Sequence, residues 1–178
     1  MQPAVITDFW FNEIDKKLWF IKDKDFDQLI IDRFSEIHQQ AIVGKLYSWR
    51  KTPRGRLAEI IILDQFSRNM FRNMRQAFSY DCLALVLSQE AISAQADLEL
   101  TSAERNFLYM PFMHSESPVI HAVALDVFAN TDENTLNFEM RHKKIIDQFG
   151  RYPHRNTILK RESTAAELEF LNEPGSSF

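Results

Sequence analysis

Asp25-Phe26-Asp27-Gln28-Leu29-Ile30-Ile31-Asp32-Arg33-Phe34-Ser35-Glu36-Ile37-His38-Gln39-Gln40-Ala41 decides the fold class of this chain. Phe26, Leu29, Ile30, Phe34, Ile37 and Ala41 recur at three- and four-residue steps, the period of a helix that buries one face. Asp25 to Gln28 resembles a capping box at the start, and Gly44 stands where such a helix stops.

The same signals recur on both sides of that stretch. Val5 to Asn12, with Phe9, Trp10 and Phe11, predicts a short helix before it. Thr52-Pro53 reads as a cap followed by proline at the first helical position, after which Leu57 to Phe71 is apolar and helix-permissive. Ser79 opens a further helix with Leu83, Val86, Leu87, Ala91 and Ile92 as its stripe. Thr101-Ser102-Ala103-Glu104 is a capping box feeding a helix that Pro111 ends or kinks. Ser117-Pro118 starts Val119 to Ala129, apolar on nearly every side and therefore expected in the middle of the protein. Asn134 to Phe149 follows, with Phe138, Ile145 and Phe149 on its inner face and Gly150 as C-terminal cap. Ser163 or Thr164 opens a last helix with Glu167 in its first turn. About eight helices joined by short connections make an all-α fold of antiparallel pairs.

Composition agrees. Of 178 residues 45% are hydrophobic, including 15 Phe and 3 Trp, which excludes disorder, while 4 Gly and 6 Pro are too few for a turn-dense β protein. One domain spanning 1–178 accommodates this length. Cys82 is the single cysteine, so no intrachain disulfide forms, and its apolar run predicts a buried thiol in a cytoplasmic protein. There is no signal-peptide pattern at Met1 to Asp8 and no apolar run long enough for a membrane span.

The net charge is -4, yet Arg141, Lys143, Lys144, Arg151, Arg155, Lys160 and Arg161 oppose only Asp147 within their window. Inside it, Phe149-Gly150-Arg151-Tyr152-Pro153-His154-Arg155-Asn156 gathers two guanidiniums, an imidazole and a carboxamide after a helix, a loop rich in donors that needs acceptors. Asp64, Arg68 and Arg72 stack at four-residue steps, with Arg75 beyond, and one carboxylate cannot neutralise three arginines. Either acids from neighbouring helices close that network or the surplus awaits an anion, because guanidinium suits phosphate and carboxylate alike.

His114 and Glu116 flank Ser115 in a loop, and His142 falls on the apolar face of its helix as a hydrogen-bonded core histidine. Without His-Glu-x-x-His or Cys-rich spacing, and with Arg151 and Arg155 beside His154, neither a metal site nor a cofactor is expected. Tyr152 among cations could stack on a base, but the negative total charge and the lack of a nucleic-acid motif argue against such a partner. No nucleophile elbow, Walker loop or dinucleotide turn occurs.

Three stretches together resemble a bacterial family: Leu63-Asp64-Gln65-Phe66-Ser67-Arg68-Asn69 with Ala77-Phe78, then Glu104-Arg105-Asn106-Phe107-Leu108-Tyr109-Met110-Pro111-Phe112-Met113-His114-Ser115-Glu116, then Phe149 to Asn156. It is a domain of unknown function, number nine-two-four, and the resemblance runs from Ile6-Thr7-Asp8-Phe9-Trp10-Phe11 to Pro174-Gly175-Ser176-Ser177-Phe178. It implies an all-α, tetratricopeptide-like helical array and brings no activity or catalytic residues, although no 34-residue repeat is visible in the chain itself. The chain departs from the family pattern at Asn73-Met74-Arg75, where a Gly-Thr-Pro-like turn is usual, and at Ala165, where proline is usual. By analogy, such arrays present binding surfaces to peptides or proteins.

The expectation is a binding domain in which Asp64, Arg68, Arg72, Glu104, Arg105, His114, Glu116, Arg151, His154, Arg155 and Asn156 form a polar pocket for an anionic small molecule or an acidic peptide end. Two alternatives stand beside it: an enzyme using Glu104 or His114 as acid or base, and a buried ion-pair network with no ligand.

Overall fold

In the computed structural model, which describes residues 1–176, every element is helical. Ser177 and Phe178, the end of the closing motif, lie outside the described residues. The chain packs into two units, residues 1–72 with 76–111 and residues 73–75 with 112–178.

The first unit contains α1 (Pro3–Asp8), α2 (Lys24–Ile42), α3 (Pro53–Ile61), α4 (Ser67–Met70), α5 (Asp81–Ser93) and α6 (Ser102–Met113), whose last two residues belong to the second unit. α2 begins before the expected capping box because Asp23, not Asp25, accepts the Phe26 N–H at 2.8 Å. Its buried face is Phe26, Ile30, Phe34, Ile37, His38 and Ala41, while Leu29 turns outward. Thr52 caps α3 through the Gly55 N–H, as its Thr-Pro signature requires. α3 continues through a π turn, Ile62–Phe66, into α4. All five residues of that wide turn are buried, so Asp64 and Gln65 are carried inward with their apolar neighbours. α1 packs on α3, α2 on α4 and α3 on α5. Phe9 and Phe66 meet Phe34 at ring separations of 4.8 and 4.9 Å, and Trp10 meets Phe107 edge-on at 5.5 Å.

The second unit contains α7 (Pro118–Phe128), α8 (Glu133–Phe149), α9 (Asn156–Leu159) and α10 (Ala165–Phe170), with α7 packed on α8. Gly150 ends α8 at φ 68°, the left-handed cap that glycine supplies without strain. Thr164, not Ser163, caps α10 in a full capping box with Glu167, and Ala165 occupies the first helical position where the family's proline would stand. Asn73 holds φ 64° at the place of the family's Gly-bearing turn; among non-glycine residues Asn tolerates that region best.

Several burial expectations are overturned. α7 is not central: Val119 and Val123 are 72% and 48% exposed, and only His121, Ala124 and Phe128 face inward. α8 buries Glu139, His142, Ile145 and Ile146 and leaves Phe138 42% exposed. α5 opens at Asp81, two residues beyond Ser79, and buries Ala84, Leu87, Ser88 and Ala91, a face rotated from the apolar stripe. That rotation leaves Cys82 exposed, contrary to the buried thiol its neighbours implied. In α5 and α7 nearly uniform apolarity left the period unable to say which side packs, whereas α8 is amphipathic and buries Ile145 as expected while Glu139, taken inward by His121, displaces Phe138 from the buried face. Pro111 does not end α6, which continues to Met113; the Ser88 hydroxyl donates to the Leu108 carbonyl in the turn that the proline disturbs. Among the described residues no helix is long and apolar enough to cross a membrane.

Candidate functional site

Arg68 and Arg72 of the first unit each meet a carboxylate from another element. Arg68, 20% exposed, bridges Asp64 at 3.1 Å and Asp81 of α5 at 3.0 Å. Burial works against its charge, and the two carboxylates outweigh burial and hold the guanidinium above its usual range. Arg72 does not extend this ladder. It forks onto Asp27 of α2 at 2.5 and 2.6 Å, and Asn69 donates to the same carboxylate at 2.8 Å. Arg105 donates to the carbonyls of Asp97 and Leu100 at 3.0 and 3.3 Å, tying α6 to the turn before it. Buried in α2, His38 meets the Ser67 hydroxyl at 2.8 Å, and burial lowers its pKa to about 4.

Glu104 is built as the cap of α6. Its Oε2 accepts the Thr101 N–H at 3.0 Å and the Thr101 hydroxyl at 2.8 Å, and its Oε1 accepts Arg54 Nε at 2.9 Å. These contacts form one wall of a cleft of about 470 Å³ lined by Phe11, Asn12, Lys16, Arg54, Thr101, Ala103 and Glu104. Arg54 also lies 3.7 Å from Asp8, and its Nη1 has no hydrogen bond among the described residues. The Lys16 ammonium sits 5.7 Å from the Trp19 ring centre and makes no ion pair among the described residues. Two cations and an aromatic wall can take a small anion.

In the second unit Tyr152, fully buried, is the hub. His121, His142 and His154 surround its ring at 6.3, 5.8 and 5.5 Å, and the Arg155 guanidinium lies 4.5 Å from its centre. Its hydroxyl donates to the Met113 carbonyl at 2.5 Å, and its N–H to Glu116 at 2.7 Å. Burial tends to raise the Glu116 pKa, but the Arg161 and Tyr152 hydrogen bonds hold it below the usual value. Asn156 accepts Arg161 Nε at 2.9 Å and donates to Ser163 at 3.0 Å. Arg151 forks onto Glu167 at 2.6 and 2.8 Å, which depresses that carboxyl to about 2. Arg161 and Arg151 of the basic window are thus paired with Glu116 and Glu167, acids outside it.

His142 is a core histidine, bonded to the Phe138 carbonyl at 2.7 Å, and burial lowers its pKa to about 3, with His114, His121 and Arg155 adding to the shift. His114 is half-buried. Of the named site residues, Glu116, Arg151, His154, Arg155 and Asn156 therefore gather around Tyr152 or its neighbours, Asp64 and Arg68 pair directly, and Arg72, Glu104 and Arg105 each have separate partners.

Sequence reasoning missed Lys16 and Arg54, which lie in no motif, and the buried pair His121–Glu139. There Nδ1 is 2.6 Å from the carboxylate and Nε2 is 2.8 Å from the Ser115 carbonyl, so one proton lies between imidazole and carboxylate. The only trace of that pair in the sequence is a lone histidine within an apolar helix.

Residues 6–175 match the model of a family described as a bacterial protein of unknown function, DUF924. A solved structure of a protein of unknown function from Agrobacterium tumefaciens is similar, at 37% identity over 97% of each chain with a TM-score of 0.92. No curated protein matches.

Proposed function

Because the chain belongs to the DUF924 family of bacterial proteins, which carries no assigned activity, we propose its role from its own residues: a helical binding domain that takes an anionic small molecule or an acidic peptide end in the cleft walled by Phe11, Lys16 and Arg54. The observation behind this reading is that Lys16 and Arg54 Nη1 carry donors without protein acceptors, beside a cavity of ligand size. Glu104 serves there as cap and as the anchor of Arg54. Three accepted hydrogen bonds on its carboxylate favour that role over the general base of the enzymatic alternative.

Calorimetric titration with sodium carboxylates and inorganic phosphate, on the wild type and Lys16→Met, tests the reading. Saturable binding of at least one anion, weakened by the substitution, supports it; no binding, or binding indifferent to Lys16, rejects it.

For Asp64, Arg68 and Arg72 the ion-pair network without ligand is the better reading, since Asp81 and Asp27 supply the missing acids. Arg68→Met lowering the unfolding midpoint without changing anion affinity is the expected result. A change in affinity would return these residues to the binding site.

A further inference from the structure

Resting on the anion-binding reading above, we infer that the ligand of the Phe11–Lys16–Arg54 cleft is a planar aromatic monocarboxylate. The charges set the anion's valence. Lys16 and Arg54 face the cavity, while Asp8 at 3.7 Å and Glu104 at 2.9 Å flank Arg54. A dianion such as phosphate would meet both carboxylates at close range, which offsets what it gains from the cations. A singly charged carboxylate matches the ammonium and the remaining guanidinium edge, the planar fork for which arginine is suited.

The wall sets the body of the ligand. Phe11 is held edge-on by Trp19 at 5.8 Å and Phe107 at 5.6 Å, and Trp19 meets Phe107 at 4.9 Å. A ring locked on its inner side by two others presents a rigid apolar surface outward, and a flat aromatic body gains offset or edge-to-face contact there that a flexible alkyl chain does not. Asn12 donates to Asp8 at 3.3 Å, which leaves its carbonyl oxygen as an acceptor for a hydroxyl on the ligand ring.

The test is calorimetry on the intact protein with 4-hydroxybenzoate, hexanoate and inorganic phosphate, with tryptophan emission followed in parallel because Trp19 packs on Phe11. The expected result is 4-hydroxybenzoate bound about tenfold more tightly than hexanoate, with no saturable phosphate binding. Phe11→Leu should narrow that preference to about threefold, whereas Lys16→Met should weaken both carboxylates by about tenfold. If Phe11→Leu fails to fold, the wild-type comparison of the three probes decides alone. Equal affinity for hexanoate and 4-hydroxybenzoate overturns the aromatic inference and leaves the anion cleft standing, as does phosphate binding more tightly than either. Failure of every probe removes both readings.

Discussion

Arg161 holds Glu116 through both terminal nitrogens, at 2.6 and 2.9 Å, while the same carboxylate takes the backbone N–H of Tyr152 at 2.7 Å. Residues 45 apart in sequence are thereby joined to the loop that carries the Tyr152 hub. Both side chains are about a quarter exposed, so the pair lies between a surface bridge and a buried one.

Arg161→Met should therefore cost about 1–3 kcal/mol, because it leaves the Glu116 carboxylate with the Tyr152 N–H alone. The second substitution Glu116→Gln should recover part of the loss. A urea double-mutant cycle reads the coupling, and additive effects would show that the two residues do not act as a unit.

Gly55 tolerates no side chain. A Cβ there would stand 2.0 Å from the Trp49 carbonyl oxygen and 2.8 Å from Thr52 Oγ1, the atom that caps α3. Gly55→Ala should destabilise by about 1–3 kcal/mol despite alanine's better helix propensity. An unchanged melting temperature would contradict this packing.

Asn73 at φ 64° offers the opposite case. Asn73→Gly should be neutral or stabilise by up to about 1 kcal/mol, and Asn73→Val should destabilise, because a β-branched residue resists the left-handed region. Melting temperatures in that order, Gly, Asn, Val, check the turn.

Acid stability follows from buried histidines and paired carboxylates. His38 and His142 fall from 6.5 to about 4 and about 3, mainly by burial, so between those values and 6.5 the unfolded chain binds more protons than the folded one. Stability should thus decline as pH drops below about 6.5. Glu167, depressed by Arg151 to about 2, contributes stability above the ordinary carboxylate range and loses it as pH falls toward that value. His38→Phe, which keeps ring packing against Phe71 and Tyr80, should flatten the decline between pH 6.5 and about 4 in denaturant midpoints. A slope as steep as the wild type's would refute the assignment to His38.

Helix existence and class, and three of the caps, were legible in the chain because they depend on local chemistry, whereas the caps of α2 and α5 fell at other residues than expected. Thr52-Pro53, the Thr101–Glu104 box and Gly150 act within one turn of themselves, and each forms as its residues dictate. Amphipathic α8 buries His142 and Ile145 as its pattern requires, whereas the inner faces of α5 and α7 were not legible, since a helix apolar on most sides lets its partners choose the buried side. Partnership between distant charges was illegible for the same reason. Asp64, Arg68 and Arg72 look like one ladder in sequence, yet Asp27 and Asp81 reach them only through helix packing. The cleft is the extreme case: Phe11, Lys16, Arg54 and Glu104 belong to four separate segments, and none is marked as a neighbour of the others. The amino-acid sequence determined that helices form and that they bury apolar faces, because those choices follow from short-range sterics and hydrogen bonding. The tertiary structure decided which charges neutralise one another and which remain open to a ligand, because electrostatic pairing depends on distances that only packing creates.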